Sequence, residues 1–411
     1  MRPDMAQPNP LTGRAATRQP HIRMHRRLRA TGIAASTLVL GACAGAGPQT
    51  SLEPKGDYAR GIDGLWDLVF WLAVGVFVVV QALLLVAIFR FRQRKGDDRQ
   101  PRQLHGNTRL EIGWTILPAV ILAIMTVPTV RGIFVLRDVP DPADVLDIQV
   151  TGHQWWWEFE YVESLGADGR ALHTANELHI PADTEVYLSM SSADVIHSFW
   201  VPPLNGKRDV VPGKLTNLHF EADEPTPEGE PILGQCAEFC GLAHADMRIR
   251  VYVHTAEDYA AWVASQLEPA AVPAPSTVPA DAPAPAPDTI EGGWATFDAV
   301  CTACHQASVR YSDGVTAVVG PADTRRDADG ADFHIALAPD LSHFGSRTTF
   351  AGATVENVPE HLAEWLANPP SVKPMDPARN DVAAGRILGM PDFGLSDEQI
   401  AGLIALLESW R

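Results

Sequence analysis

The sequence predicts a multidomain chain: a two-helix transmembrane hairpin, then a β-sandwich, then an all-α domain. Three observations carry that reading. There are two long apolar runs, a following stretch of short alternating segments, and a helical last third set off by an Ala/Pro-rich linker. The 411 residues suffice for two or three domains. Charge divides the chain the same way. Residues 1–137 carry 18 Lys and Arg against 8 Asp and Glu, whereas residues 138–411 carry 14 against 42. A basic first third and an acidic remainder point to a membrane-anchoring part and an exported soluble part. So acidic a remainder repels nucleic acid and attracts basic partners.

Residues 1–43 read as a leader. The basic run Arg26-Arg27-Leu28-Arg29 precedes a short apolar stretch ending Leu40-Gly41-Ala42-Cys43, a signal-peptide layout. The ending resembles a bacterial lipoprotein cleavage box, in which Cys43 becomes the lipidated N-terminal residue. An ordinary signal with an incidental cysteine is the alternative, and Met24 is a second possible start. Residues 60–137 hold the hairpin. Leu65 to Phe89 is nearly free of charge and long enough to cross ~30 Å of hydrocarbon as a helix. Ile112 to about Val130 is the second run, with Pro118 and Pro128 inside it. Between them lie Arg90, Arg92, Arg94, Lys95, Arg99, Arg102 and Arg109, offset by only three acids. This basic loop is expected in the cytoplasm, which places everything after Arg137 outside.

Residues 138–265 give the sandwich. Leu146 to Val150, Glu185 to Met190 and Arg248 to Val253 alternate as strands do, among Pro and Gly turns. Residues 266–289, rich in Ala and Pro, read as a semi-rigid linker. Residues 290–411 read as helices, the last opening at Leu395-Ser396-Asp397-Glu398-Gln399 with a serine cap and an acidic first turn.

Of five cysteines, four form two close pairs, too few for a disulfide scaffold in so long a chain. Cys236, Glu238, Cys240, His244 and Met247 fall within twelve residues, and His197 lies upstream at the end of a predicted strand. Two thiolates, two imidazoles and a thioether are a soft donor set, which favours copper. A mononuclear blue-copper site needs one cysteine fewer, whereas two cysteines four apart can bridge two coppers. His197 and Met247 would then serve one copper, His244 and the Glu238 carbonyl the other. A tetrahedral zinc site would use the Cys and His ligands but not Met247. A plain disulfide is the remaining alternative.

Cys236-Ala-Glu-Phe-Cys240-Gly-Leu-Ala-His244-Ala-Asp-Met247 resembles the CuA loop of cytochrome c oxidase subunit II. Gly152-His153-Gln154-Trp155-Trp156-Trp157 resembles that family's aromatic strand, and Asp194 to Pro202 the segment around its first histidine ligand. Leu110 to Pro118 resembles the start of its second membrane helix. The resemblance spans about residues 60–260 and implies a cupredoxin-like sandwich with dinuclear copper. It implies further that Trp155 receives electrons through an exposed ring, although three consecutive tryptophans leave open which ring is exposed. Glu238 would bind magnesium at the boundary with subunit I, its alternative being an exposed acid whose backbone alone matters. Glu111 would lie at the mouth of a proton channel, although an acid at a helix start is favourable by itself.

Cys301-Thr302-Ala303-Cys304-His305 is a haem c attachment motif, with both thiols bonded to the haem and the histidine on iron. Met390, in Met390-Pro391-Asp392-Phe393 just before the last helix, resembles the second axial ligand of small bacterial cytochromes c. Met375 is the runner-up. Pro339-Asp340-Leu341-Ser342 resembles the loop covering haem on its histidine side, and residues 307–336 are an insertion without assignment.

Together these features imply an electron-transfer subunit of a bacterial terminal oxidase, anchored in the cell membrane with its copper and haem on the outer, periplasmic face. Electrons would come from cytochrome c or a quinol–cytochrome c reductase, enter at the fused haem and pass to CuA. They would leave for subunit I, where oxygen reduction and proton pumping take place. Two acidic domains repel at long range, so docking between them is expected to rest on tethering and an apolar patch near Trp155. A membrane-anchored haem and copper carrier outside any oxidase is the alternative, as is a nitrous oxide reductase-like enzyme. A simple carrier would need neither Glu111 nor the Glu238 side chain, and the reductase would need many more histidines.

Overall fold

The structure, a computed structural model, describes residues 47–93, 96, 103, 105–137, 145–167, 169–272 and 284–411. Cys43, much of the basic loop and the middle of the linker lie outside the described residues.

The two apolar runs form α1 (Asp57–Arg90) and α2 (Thr108–Val135), and the most apolar stretches of both leave their side chains unburied, as lipid-facing helices do. α1 starts eight residues before the apolar run. Its polar first turns meet the sandwich: Ala59 is buried, the Tyr58 hydroxyl donates to Glu185 (3.0 Å), and Arg60 pairs with Asp223. α2 continues through both prolines. Its start is capped reciprocally. The Asn107 side chain accepts from the Arg109 and Leu110 amides, and Glu111 Oε1 accepts from the Asn107 amide at 3.1 Å.

The sandwich comprises β1 (Leu146–His153), β2 (Trp156–Leu165), β3 (Ala171–Ala175), β4 (Glu177–Pro181), β5 (Val186–Ser192), β6 (His197–Trp200), β7 (Arg208–Val210), β8 (Thr216–Phe220), β9 (Ile232–Cys236) and β10 (Arg248–His254). One sheet runs β3-β2-β1-β5-β8, the other β4-β10-β9-β6-β7. Trp157, Phe159 and Tyr161 alternate along β2 into the core, where Trp157 and Phe159 meet Phe199 from the opposite sheet. A helix α3 (Ala256–Gln266), capped by Thr255, closes the sandwich with Trp262 over Tyr161 and His179.

The linker begins as structure. β11 (Ala270–Val272) pairs with a strand of the C-terminal domain. That domain has α4 (Ile290–Val300), β12 (Ala307–Tyr311), β13 (Thr316–Val319), β14 (Thr324–Ala328), β15 (Ala331–Ile335), β16 (Thr349–Phe350), β17 (Val355–Glu356), α5 (Pro359–Ala367), α6 (Pro369–Val372) and α7 (Asp397–Ser409). Its core is helical: Trp294 and Phe297 of α4 pack on Leu403, Leu406, Leu407 and Trp410. α7 opens on the expected serine, as a capping box between Ser396 and Gln399. The insertion 307–336 forms two hairpins, β12–β13 and β14–β15.

The second hairpin lies on the sandwich. Phe333, Ile335 and Ala328 pack with Ala193 and Leu215, and the Ala336 amide donates to the Glu158 carboxylate (3.3 Å). Strand alternation alone sends Glu158 and Glu160 of β2 to solvent, yet they are 2% and 9% exposed because this second layer covers them. Glu177 completes the seam: its Oε1 accepts from the amides and hydroxyls of Thr348 and Thr349 at 2.6–3.1 Å. Docking thus uses buried hydrogen bonds as well as apolar contact, more than a tether and an apolar patch provide.

Glu158 sits between His153 (2.9 Å) and His173 (3.2 Å). Burial opposes its charge, but the two histidine bonds outweigh burial and hold it at about 2. Burial likewise opposes a charged His173, and its bond to Glu158 outweighs that and lifts it to about 9. The Glu158 contribution is present above pH ~4.5 and lost as pH falls towards 2. The His173 contribution is complete below pH ~6.5 and lost as pH rises towards 9. The sandwich is therefore expected to be most stable between about pH 4.5 and 6.5, read as its thermal unfolding temperature across pH. In Glu158→Gln the alkaline loss should disappear; a profile identical to the parent would exclude this pair as its source.

Candidate metal and haem sites

Three turns converge at one edge of the sandwich. His197 opens β6, Cys236 ends β9, and the loop to β10 carries Glu238, Cys240, His244 and Met247. The thiols of Cys236 and Cys240 are 3.8 Å apart, about twice a disulfide length, and both cysteines are free. Cys236 Sγ lies 4.0 Å from His197 Nδ1 and 3.2 Å from the Glu238 carbonyl oxygen. Cys240 Sγ lies 3.6 Å from His244 Nδ1 and 3.9 Å from Met247 Sδ. All six sequence-predicted donors thus gather around the thiol pair. His197, Cys236, Cys240 and Met247 are buried, His244 is half-buried, and the Glu238 side chain is exposed.

Sequence reasoning did not single out Asp194. Its carboxylate accepts from His197 Nε2 (2.9 Å) and from the Gln154 and Val195 amides (both 2.6 Å). This fixes the proton on Nε2 and turns the Nδ1 lone pair towards the thiols. Burial would raise the Asp194 carboxyl, but the His197 bond outweighs it and keeps the carboxylate charged. Cys236 is the thiol that ionises first, drawn down by the Cys240 thiol against the cost of burial, with His197 helping. The donor set fits soft metal: two sulfurs between two imidazoles, with a thioether and a carbonyl beyond.

Cys301, Cys304 and His305 follow α4 and line a cleft walled by Phe297, Leu341, Phe350, Leu366 and Leu403 among others. His305 Nδ1 donates to the Pro339 carbonyl at 2.8 Å, from the loop expected on that side. Burial lowers the His305 pKa, so the ring is neutral and Nε2 offers a lone pair. Burial pushes the Cys301 thiol up to about 12 and raises Cys304. Paired thiols, a tautomer-locked neutral histidine and an apolar cleft fit covalent haem. Met390 and Met375 both line the cleft. Met390 packs with the C-terminal domain's own core, whereas Met375 packs against the sandwich core and abuts Gly389.

Trp155 is 5% exposed, so the exposed ring expected from sequence is covered. The cover is the C-terminal domain: Trp155 lines the same cleft as Cys301, His305 and Met390. Its Nε1 donates to the Cys240 carbonyl at 3.0 Å. Gly241, at φ +117°, permits this approach, because a Cβ there would press on Trp155 and Gln154. Trp157 is wholly buried, and Trp156 is half-buried, stacked on His153 at 4.1 Å. Glu111 lies on α2, apart from both sites in sequence, and serves there as a cap. Exposed Phe239 (77%) and Leu242 (62%) follow Glu238 on the metal loop.

Family models match three consecutive parts of the chain: "Cytochrome C oxidase subunit II, transmembrane domain" over residues 53–131, its "periplasmic domain" over 146–254, and "Cytochrome c" over 290–410. A cytochrome c oxidase subunit 2 of Alkalihalophilus pseudofirmus is 33% identical over 91% of this chain and 94% of its own length. That of Bacillus subtilis is 31% identical over 79% and 84% respectively. The periplasmic domain of the corresponding subunit of Bradyrhizobium japonicum, a solved structure, is 28% identical over 31% of this chain and 96% of its own, with a TM-score of 0.28.

Proposed function

The chain belongs to the cytochrome c oxidase subunit II family, and from that premise we propose that it relays electrons from its own covalently bound haem c to a dinuclear CuA centre and on to subunit I. The observation that carries this reading is Trp155, one indole that walls the haem cleft and bonds the backbone of a metal-site cysteine.

The haem and the copper pair would each supply a one-electron redox couple, and the protein supplies their placement. Cys301, Cys304 and His305 would hold haem, with Met390 as the second axial ligand. His197, Cys236, Cys240, His244, Met247 and the Glu238 carbonyl would hold copper. Asp194 keeps His197 in the ligating tautomer. Trp155 excludes water between the sites and spans them. Because the C-terminal domain covers Trp155, external donors deliver electrons to haem. The −16 charge over residues 138–265 (6 basic, 22 acidic) and −12 over 266–411 (8 basic, 20 acidic) would steer a basic cytochrome c.

Subunit I would cover Phe239 and Leu242, with Glu238 beside Phe239 placed to bind magnesium at that boundary. Glu111 would stand at a proton-channel mouth while also capping α2. α1 and α2 would cross the bacterial inner membrane with both soluble domains on the periplasmic side. Oxygen reduction and proton translocation would belong to the assembled oxidase, whose oxygen site lies in another subunit. The test is purification from membranes with a subunit inventory and metal analysis. Two coppers and one covalent haem per chain, co-purifying with a polytopic haem-bearing subunit, are expected. A chain that purifies alone with both centres would be a free carrier, and the oxidase assignment would fall.

A further inference from the structure

Lys373 is the most buried lysine among the described residues, 5% exposed, and no motif drew attention to it. Its Nζ donates to two carbonyls from opposite sides of the domain seam. Trp155 O belongs to the sandwich, at 2.7 Å, and Ala351 O to the C-terminal domain, at 3.1 Å. We propose that Lys373 is a positioning residue that holds the haem cleft against Trp155, and so sets the rate of internal electron transfer.

The loop it grips is shaped for this contact. Ala351, Gly352 and Ala353 all have positive φ (53°, 80° and 60°), which turns the Ala351 carbonyl back onto Nζ. A Cβ on Gly352 would collide with Asp246 O and with Nζ itself. Gly352 O accepts the Arg248 amide at 2.9 Å, so the loop is bound to the residue that follows Met247 of the metal loop. A buried ammonium is tolerated only where acceptors replace its water. Here one acceptor comes from each domain, so the two carbonyls replace water around Nζ together only in the docked state. Trp155 is thereby held at both ends, its backbone by Lys373 and its indole by Cys240. Lys373 also lines the cleft beside Met375, so loosening it shifts the cleft wall as well as the seam.

The inference rests on the proposed haem-to-copper relay, and one experiment separates the two. In the purified full oxidase complex, haem c is photoreduced by a flash and copper reduction is followed optically, for the parent, Lys373→Met and Lys373→Gln. Absorption and paramagnetic resonance spectra and both midpoint potentials are expected to be unchanged in the variants. The internal rate is expected to fall below the parent's in Lys373→Met, because a loosened seam lengthens the gap between the haem cleft and Trp155. Lys373→Gln, which keeps N–H donors on a shorter chain, should fall between. Unchanged potentials with a slower rate distinguish positioning from general destabilisation. If Lys373→Met fails to assemble, Lys373→Gln carries the comparison. A variant that assembles with intact spectra and transfers at the parental rate overturns the role of Lys373 alone. A parent with no internal transfer overturns the relay and this inference with it.

Discussion

Replacing either Cys236 or Cys240 with serine is expected to abolish the valence-delocalised copper signal while leaving covalent haem in place. Each sulfur lies within 4.0 Å of donors from two directions: Cys236 between His197 and the Glu238 carbonyl, Cys240 between His244 and Met247. In the proposed centre neither would be a terminal ligand that the other could replace. A serine hydroxyl is a harder donor with a much higher pKa, so copper loses both its preferred ligand and its bridge. Electron paramagnetic resonance should show either no copper or an ordinary mononuclear pattern, with copper content falling from two per chain to one or none. The haem absorption should not change, because Cys301 and Cys304 lie in a separately cored domain. A delocalised signal surviving in either single variant would exclude the two-thiolate bridge.

Met390→Leu is expected to leave haem attached through Cys301 and Cys304 but to remove the thioether–iron absorption band and lower the haem potential. Axial ligation tunes haem over roughly 0.8 V, and each ~59 mV is a factor of ten in a one-electron equilibrium. A small part of that range therefore changes the equilibrium constant for transfer to copper by orders of magnitude. Packing is the ground for choosing Met390 over Met375. Met390 belongs to the core of the domain that carries Cys301, whereas Met375 leans on the sandwich. Loss of the band in Met375→Leu but not in Met390→Leu would reverse the assignment.

What the sequence made legible was local. Five of the copper donors fall within twelve residues, and the haem motif is five residues long. The last helix announced itself through Ser396 and Gln399. What it hid depends on one domain covering another. Glu158 and Glu160 alternate like solvent-facing acids and become buried only under the β14–β15 hairpin. Trp155 is covered by a domain more than a hundred residues downstream. Lys373 reads as an ordinary surface lysine until both of its carbonyl acceptors are in place. The early start of α1 escaped because its first turns are polar and pack on protein rather than lipid. Asp194 had a signal that could have found it, an acid three residues before a metal-site histidine.

The central claim is an internal relay across a fixed seam. Its most direct test is the salt dependence of two rates in the same purified complex: reduction of haem by an external basic cytochrome c, and transfer from haem to copper after a flash. At physiological ionic strength exposed charges are screened from one another beyond ~8 Å, and groups buried in the seam are screened much less. The external step should slow steeply as salt rises, because surface acids steer the donor. The internal step should be first order, independent of protein concentration and unchanged or slightly faster. An internal rate that falls steeply with salt, or that scales with protein concentration, would contradict the account, because haem would then reach copper by diffusional, charge-steered docking.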